Sequence, residues 1–266
     1  MGRAKVNGIE LEYDRQGHGD RVLLIHGAFI PDAMRPLGGQ DALESFELIC
    51  YHRRGFAGSS RQPGPTTMTE HAADCIGLLD QLGIDRAHVV GHSSGAAIAL
   101  EMAATEPARV SSLALLEPPC PRGAAGDAFM EAMAPIFERY HGGDTAGAVA
   151  DFYGLIGDPQ WRDTIERTIP GGVSQAEKNA ATSFEIEGPA VAGWSFGPER
   201  TGAVTCPVLS VLGTATAPLF VESRQLLHEW FAHCVDADIP GAGHLLQMEA
   251  PAAVAAALAP FLGGAS

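Results

Sequence analysis

The chain has 266 residues, of which 46% are hydrophobic and 18% are charged, and its formal net charge at pH 7 is −15. Such a composition is typical of one large globular domain and excludes a disordered chain. Acidic residues outnumber basic ones by 32 to 17, and no Lys/Arg-rich run occurs. Nucleic acid and anionic membrane surfaces are therefore not expected partners.

The cysteines and the apolar segments indicate the compartment. Residues 1–14 alternate polar and apolar side chains, so no secretory signal is expected, and no apolar stretch reaches the length of about 18 residues that a membrane span needs. The five cysteines are scattered without a CxxC pair, which is typical of free thiols in a reducing compartment. We therefore expect a cytoplasmic protein without a metal or another cofactor.

Strand-like and helix-like segments alternate along the first part of the chain, which predicts a largely parallel sheet with helices on both faces. Residues 3–6 and 9–14 predict a hairpin around Asn7-Gly8, a strong turn signal. The following elements are predicted strands at 21–25, 46–51, 87–90 and 110–116 and predicted helices at 69–82 and 96–104.

This alternation stops at residue 119. Residues 119–203 contain no convincing buried strand, and they show helical patterns at 127–141, 145–156, 159–168 and 174–187. Strand 207–212, helix 218–231, strand 233–239 and helix 249–262 then complete the chain. We expect a core from residues 1–118 and 204–266, with 119–203 as a helical lid (cap) over the sheet edge where open α/β sheets bind ligands.

A serine motif lies between a predicted strand and a predicted helix. Gly91-His92-Ser93-Ser94-Gly95 matches G-x-S-x-G. In this context the pattern indicates a sharp strand-to-helix turn that holds Ser93 in a strained conformation and exposes its hydroxyl. The helix that follows would direct its N–H groups and positive dipole end at developing negative charge.

Three further motifs occur in a consistent order: His26-Gly27-Ala28-Phe29, then Arg54-Gly55-Phe56-Ala57-Gly58-Ser59, and finally Pro240-Gly241-Ala242-Gly243-His244. With these motifs the chain resembles an α/β-hydrolase of the serine-nucleophile type over nearly its whole length. The resemblance implies the α/β-hydrolase fold, a mostly parallel eight-stranded sheet with helices on both faces and a helical lid.

His244 is the predicted general base. It follows a predicted strand and a glycine-containing loop, which lets its ring reach the sheet edge, and a serine hydroxyl needs a base to become a good nucleophile. Other histidines have simpler interpretations. His26 shapes the HG turn and His92 packs inside the serine turn, while surface or lid positions are expected for His18, His141, His228 and His233.

The family pattern implies two backbone N–H donors for the oxyanion. These are the N–H of Ser94 and one from the HG turn, for which we choose Ala28, with Gly27 and Phe29 remaining as alternatives.

The position of the carboxylate that would orient His244 departs from the common family pattern. The turn after the predicted strand 207–212, residues 213–218, contains no carboxylate, and Glu222 falls inside the next helix. The superfamily's other acid site follows the sixth strand, where Glu117 lies 24 residues after Ser93. We predict that Glu117 orients His244; the alternative is a Glu that caps the first loop of the lid.

The serine pair, Glu117 and the carboxylate-free turn together resemble zearalenone-lactonase-like hydrolases. His26 departs from that group, whose members tend not to carry a histidine there. The resemblance implies cleavage of an ester or a lactone, and the mycotoxin itself does not follow from it.

The predicted lid is rich in aromatic residues, which indicates an apolar substrate pocket. We expect Phe29, Trp194 and Phe184 to line it, and we interpret Arg53-Arg54 as structural turn cations. The predicted function is hydrolysis of an apolar small-molecule ester or lactone through an acyl-enzyme on Ser93. Alternatives are C–C bond hydrolysis, acyl transfer or lyase chemistry with the same residues, or a non-catalytic binding protein of the same fold.

Overall fold

A computed structural model describes residues 1–61, 64–120, 123–157 and 159–264. Residues 62, 63, 265 and 266 of the predicted core and residues 121, 122 and 158 of the predicted lid lie outside this part. The strands of the described chain are β1 (Gly2–Val6), β2 (Ile9–Gly17), β3 (Asp20–Ile25), β4 (Phe46–Tyr51), β5 (Ala87–His92), β6 (Val110–Leu116), β7 (Val208–Gly213) and β8 (Val235–Ile239).

In the described residues these strands form one eight-stranded sheet in the order β1-β2-β4-β3-β5-β6-β7-β8. β1 and β2 form the hairpin predicted around Asn7-Gly8, and β2 also pairs antiparallel with β4. All other pairs are parallel. The predicted mostly parallel eight-stranded sheet is therefore confirmed.

The strands carry apolar side chains on both faces, because both faces are covered. In β3, Leu23 and Ile25 belong to one buried cluster, while Val22 and Leu24 belong to another. This is the two-residue period of a strand whose side chains point alternately to opposite faces. Helices α1 (Met68–Gln81) and α2 (Ser94–Thr105) pack in the first cluster.

The opposite face is covered by the last two helices of the chain, whose Leu246, Val254, Leu258 and Leu262 belong to the second cluster. After α9 (Pro218–Trp230), the predicted helix 249–262 is wrong in its bounds, because the structure has two helices, Leu246–Glu249 and Pro251–Gly264. Pro251 separates them, since proline disfavours a helical conformation at the preceding residue and is well accommodated at the first position of a new helix.

Between β6 and β7 the described residues form helices and loops. In chain order the helices are α3 (Gly123–His141), α4 (Thr145–Leu155), α5 (Trp161–Thr168), α6 (Gly172–Lys178), a π-helix (Thr182–Glu187), α7 (Gly188–Ala192) and α8 (Pro198–Thr201). We call residues 119–203 the helical segment. The single helix predicted at 174–187 is wrong, because α6 ends at Lys178 and the next residue, Asn179, leaves the helical conformation with φ −91° and ψ 2°. No helix in the described ranges has the length and apolarity of a membrane span.

Candidate active site

Ser93 lies at the turn between β5 and α2, with φ 54° and ψ −128°. A positive φ is strained for a residue with a side chain and costs about 1–3 kcal/mol. The glycines on either side make the turn possible. A Cβ on Gly91 would lie 2.3 Å from the carbonyl oxygen of Gly95, and one on Gly95 would lie 2.3 Å from that of Ile25. α2 begins at Ser94, so the N–H of Ser94 lies at the positive end of the helix dipole.

Glu117 and His244 lie beside this turn. Glu117 follows β6 with φ 50°, and the Nδ1 of His244 lies 2.6 Å from its Oε2. Both side chains are buried. The N–H of Ser93 donates to the carbonyl oxygen of Leu116 at 2.9 Å, which ties the serine turn to the residue before Glu117. Ser93 and His244 line the same cavity, so the structure brings the three predicted residues together.

The turn without a carboxylate supplies hydrogen-bond donors to Glu117. The hydroxyl of Thr216 donates to Oε2 at 2.7 Å, and the N–H of Gly213 donates to Oε1 at 2.8 Å. A buried carboxylate needs such partners. Thr216 was not predicted, although the absence of a carboxylate from its turn was the available signal.

Burial controls the protonation of this pair. It raises the pKa of Glu117 to about 7, while the hydrogen bonds from Thr216 and Gly213 oppose the rise. It lowers the pKa of His244, so the resting ring is neutral and can accept a proton. A neutral ring that donates from Nδ1 to a carboxylate leaves Nε2 as the acceptor, which is the tautomer a general base requires.

The ring and backbone of His244 are held by two further groups. Phe220 stacks on the ring with the centroids 3.9 Å apart and the planes at 9°. The Nε2 of His92 donates to the carbonyl oxygen of His244 at 2.8 Å, and Gln247 donates to the Nδ1 of His92 at 3.2 Å. His92 therefore packs as predicted. Phe220 was not predicted, and only its place in the first turn after residues 213–217 could have pointed to it.

The HG turn is fixed by its own side chains. His26 donates from Nδ1 to the carbonyl oxygen of Gly27 at 2.7 Å, and its Nε2 accepts the N–H of Arg53 at 3.1 Å. Burial, together with the Arg53 guanidinium, lowers the pKa of His26, which keeps the ring neutral. A Cβ on Gly27 would lie 3.0 Å from the Cβ of Ser93, so the turn lies directly against the serine.

The N–H of Phe29 is already engaged. It donates to the Oγ of Ser183 at 3.0 Å, and the carbonyl oxygen of Phe29 accepts the side-chain amide of Asn179 at 2.9 Å. The N–H of Phe29 is therefore not free to act as the second oxyanion donor of the HG turn. Ala28 lines the cavity beside Ser93 and Ser94, which favours it.

Glu222, the nearest carboxylate after β7, binds the helical segment. Its Oε2 accepts the N–H groups of Ala125 and Gly126 at 3.0 and 3.1 Å, in the first turn of α3. A carboxylate at this end of a helix satisfies free N–H groups and interacts favourably with the dipole. Glu222 therefore anchors the helical segment to α9.

A cavity of about 280 Å³ opens at Ser93 and His244. Its lining is mostly apolar, and most of it comes from the helical segment: Pro119, Phe129, Met130, Met133, Phe137, Phe152, Ile156, Ser183, Phe184, Glu187, Gly188, Pro189, Val191 and Ala192. Phe29 and Phe184 line it, with ring centroids 5.1 Å apart.

Trp194 lies elsewhere, which corrects the expectation that it lines the pocket. Its Nε1 donates to the buried carboxylate of Glu101 at 3.0 Å, and its ring packs 5.8 Å from that of Phe196. Glu101 also binds Arg200 at 2.6 Å. Trp194 therefore belongs to the contact between the helical segment and α2.

The described residues hold no cluster of three or more His, Cys, Asp or Glu side chains arranged for a metal ion. The structure places the Ser93 side chain and the imidazole of His244 together at the cavity.

The sequence model of the Alpha/beta hydrolase family matches residues 22–257. Among curated proteins, the chain is similar to the dihydrolipoyllysine-residue acetyltransferase component of the acetoin cleaving system of Cupriavidus necator, with 38% identity over 117 residues. That match covers 43% of this chain and 31% of the relative, so well under two thirds of the relative's length is represented.

Two examples from the similar solved structures cover nearly the whole chain. The enol-lactonase of Burkholderia xenovorans LB400 is 24% identical with a TM-score of 0.76, covering 98% of this chain and 100% of its own. A thermophilic esterase of Thermogutta terrifontis is 22% identical with a TM-score of 0.77, covering 99% and 98%. At these identities the similarity establishes the shared fold.

Proposed function

This chain belongs to the alpha/beta hydrolase family, and we propose that it is a serine hydrolase that cleaves carboxylic esters or lactones. One observation carries the proposal. A serine at a positive-φ strand-to-helix turn shares a cavity with a histidine whose Nδ1 lies 2.6 Å from a buried carboxylate. Nucleophile, base and orienting acid are the parts that acyl transfer requires.

In the proposed reaction, the Oγ of Ser93 attacks the ester carbonyl while the Nε2 of His244 takes its proton. Glu117 holds the ring and stabilises the imidazolium that forms. The tetrahedral intermediate collapses to an acyl-enzyme, and His244 returns the proton to the leaving alcohol. Water then attacks the acyl-enzyme by the same route, which releases the acid and restores Ser93.

The N–H groups of Ser94 and Ala28 are the proposed oxyanion donors. Ser94 opens α2, where the helix dipole adds to its N–H, and Ala28 borders the cavity next to Ser93. Preorganised donors of this kind each contribute about 2.7–4 kcal/mol to stabilisation of the transition state.

The lining of the cavity supports an apolar substrate, and we infer that the helical segment acts as its lid. The aromatic and aliphatic side chains around the cavity favour an apolar acyl or ring group through burial of its surface. Lactone cleavage, which the sequence resemblance implies, would proceed by the same steps, with the leaving alcohol remaining attached to the acyl group.

The test is covalent labelling and turnover. We expect a fluorophosphonate probe to label Ser93, located by mass spectrometry, and Ser93→Ala to lower the turnover of p-nitrophenyl acetate by about 10⁴- to 10⁶-fold. Ser174→Ala, at an exposed serine of α6, is the matched control and should retain both. A folded Ser93→Ala protein with undiminished turnover would contradict the proposal.

A further inference from the structure

A fully buried arginine adjoins the HG turn without a role in the proposed reaction. Arg53 is 0% exposed, and its Nη2 donates to the carbonyl oxygen of Gly27 at 2.7 Å. The same nitrogen lies 3.5 Å from the Oγ of Ser94. The Nη1 of Arg53 forms an ion pair with Glu187, which ends the π-helix and is itself buried. The guanidinium therefore lies between the HG turn and Ser94, the two places that supply the proposed oxyanion donors.

The group that Arg53 binds is the peptide unit that carries the proposed donor of the HG turn. The carbonyl oxygen of Gly27 and the N–H of Ala28 belong to one planar peptide unit, in which they point in opposite directions. This oxygen also accepts from the Nδ1 of His26 at 2.7 Å, so donors occupy both of its lone pairs. Fixing the oxygen in this way fixes the direction of the N–H of Ala28.

This peptide unit needs support from outside because residue 27 is a glycine. A Cβ at Gly27 would lie 3.0 Å from the Cβ of Ser93, so the close approach of the two turns leaves little room for a side chain. Glycine has more accessible backbone conformations than any other residue. The orientation of its peptide unit therefore depends on the groups that bind the oxygen, which are His26 and Arg53.

The charge of the guanidinium acts on the same peptide unit. An arginine side chain in a protein stays protonated, and a hydrogen bond from a cation is stronger than one from a neutral donor. A carbonyl that accepts such a bond is polarised, which makes the N–H of the same peptide unit a better donor, and the low dielectric of a buried site strengthens this effect. Glu187 balances the charge, as the burial of Arg53 requires.

We propose that Arg53 is a positioning residue of the oxyanion site, which orients and polarises the Gly27–Ala28 peptide unit so that the N–H of Ala28 points at the oxygen of the tetrahedral intermediate. This inference rests on the proposed function, and it adds to the structural role predicted for Arg53-Arg54. Because its side chain is fully buried, Arg53 acts on the substrate only through the peptide unit that it binds. Glu187 is its counter-ion, supplied by the helical segment.

A second ion pair of the helical segment provides the control. The buried Glu101 binds Arg200 at 2.6 Å and joins the segment to α2. Glu101 also accepts from Thr69 at 2.8 Å and from Trp194 at 3.0 Å. All four of these residues lie outside the set of described residues that line the cavity at Ser93. Removal of this pair therefore tests the anchoring of the segment by itself.

The first experiment removes each pair and follows the hydrolysis of p-nitrophenyl acetate. Arg53→Met with Glu187→Leu leaves no uncompensated buried charge. We expect kcat to fall by about 10- to 100-fold with little change in KM, since complete loss of an oxyanion donor costs about 10²- to 10³-fold. Arg200→Met with Glu101→Leu should keep the wild-type kcat and lower only the melting temperature. Equal losses of kcat in the two double variants would reduce Arg53 to an anchor of the helical segment.

A single variant keeps the test available if the first double variant does not fold. Arg53→Lys preserves the charge opposite Glu187, but one nitrogen replaces the two that reach Glu187 and Gly27 together. We expect its kcat to lie between those of the wild type and of the double variant, about 3- to 10-fold below the wild type. The wild-type kcat in either folded variant of Arg53 would overturn the proposal.

A second experiment measures the oxyanion site directly. The Oγ of Ser93 adds to the carbonyl carbon of butyl trifluoromethyl ketone, its proton passes to His244, and the carbonyl oxygen becomes the oxyanion. The corresponding secondary alcohol binds without this step. The double variant of Arg53 and Glu187 should bind the ketone about 10- to 100-fold more weakly and the alcohol as the wild type does, because only the ketone adduct resembles the transition state. Equal weakening of both ligands would mean a general disturbance of the cavity and would refute the positioning role.

The wild type alone decides the proposed function. If a fluorophosphonate does not label Ser93 and p-nitrophenyl acetate is not hydrolysed, the proposed function fails. If the wild type is labelled and active while the Arg53 variants keep its kcat and its affinity for the ketone, only the role of Arg53 fails. The two failures are therefore distinguishable.

Discussion

The sheet core and the helical segment contribute different things to the cavity. The three residues proposed to react follow β5, β6 and β8, at the edge where parallel strands end, whereas most of the cavity lining comes from residues 119–203. The core positions of these groups are set by main-chain pairing and by glycines that tolerate no side chain. We therefore propose that the core fixes the reaction, while the helical segment selects what is bound.

The two regions meet at the HG turn and the turn that follows β4. Asn179 and Ser183 hold the backbone of Phe29, Glu187 pairs with Arg53, and the hydroxyl of Thr182 donates to the carbonyl oxygen of Gly55 at 3.0 Å. These contacts join a lining segment to a turn that we propose carries an oxyanion donor. Changes in the core should therefore abolish turnover, and changes in the segment should reduce it moderately or alter selectivity.

After Ser93→Ala, the largest loss of turnover is expected for Glu117→Gln. A neutral amide cannot stabilise an imidazolium, and its NH₂ group beside the Nδ1 of His244 favours the tautomer that blocks Nε2. We expect kcat for p-nitrophenyl acetate to fall by about 10²- to 10⁴-fold, with the circular dichroism spectrum unchanged.

Glu222→Gln is the matched control, because Glu222 accepts from the first turn of α3, whereas Glu117 is the carboxylate bound to the Nδ1 of His244. Its effect should be confined to a lower melting temperature. A large loss of kcat in Glu222→Gln together with normal turnover in Glu117→Gln would mean that the orienting carboxylate is Glu222 in α9. The reacting groups would then not all lie at the strand ends.

The same division separates what the sequence predicts well from what it does not. The bounds of β4 and β6 match their predictions, and those of the other strands differ by a few residues, because burial and glycines mark them locally. Ser93, Glu117 and His244 are predictable for a related reason: each directly follows a strand or its loop, and the carboxyl ends of parallel strands meet at one edge.

The contacts of the helical segment lack such a local signal. Ser183 binds Phe29 across 154 residues, and Asn179 does so across 150, without a periodic pattern that marks either. The same stretch of chain is where the predicted helix 174–187 is interrupted. Trp194 was wrongly predicted to line the pocket. Its aromatic character alone did not distinguish a lining residue from one that donates to Glu101.

A smaller effect on kcat/KM is expected from lowering the pH and from the variant Thr216→Val. Below the raised pKa of Glu117, about 7, a protonated carboxyl would donate to His244 and place the ring proton on Nε2. The kcat/KM of the wild type should therefore be constant at higher pH and fall about tenfold per pH unit below that value. Thr216→Val removes a donor that favours the carboxylate, so the fall should begin at a pH about one unit higher.

Thr214→Val is the control for the pH profile. Thr214 belongs to the same turn, but its Oγ accepts the N–H of Gly241 at 2.8 Å, whereas Thr216 and Gly213 are the residues of this turn that donate to Glu117. Its profile should coincide with that of the wild type. Equal shifts in both variants would indicate a general disturbance of the turn, and an acid limb that neither variant moves would separate Glu117 from the titration.

The smallest effect tests the contact between the two regions themselves. Ser183→Ala removes the acceptor of the Phe29 N–H, leaving a buried donor unsatisfied next to the proposed oxyanion donor, Ala28. Because an unpaired N–H and a displaced turn weaken stabilisation of the transition state, we expect kcat to fall by about 3- to 10-fold with little change in KM. The measurement is steady-state kinetics on p-nitrophenyl acetate.

A variant that restores the hydroxyl of residue 183 shows whether Ser183 positions the HG turn or only maintains the fold. Ser183→Thr keeps the hydroxyl and should recover most of kcat, whereas Ser174→Ala, on the exposed side of α6, should change nothing. If Ser183→Ala instead raises KM at constant kcat, the segment acts on substrate binding alone, and the oxyanion turn keeps its geometry without it. The core would then supply the complete reaction, and the helical segment would act only in selecting the substrate.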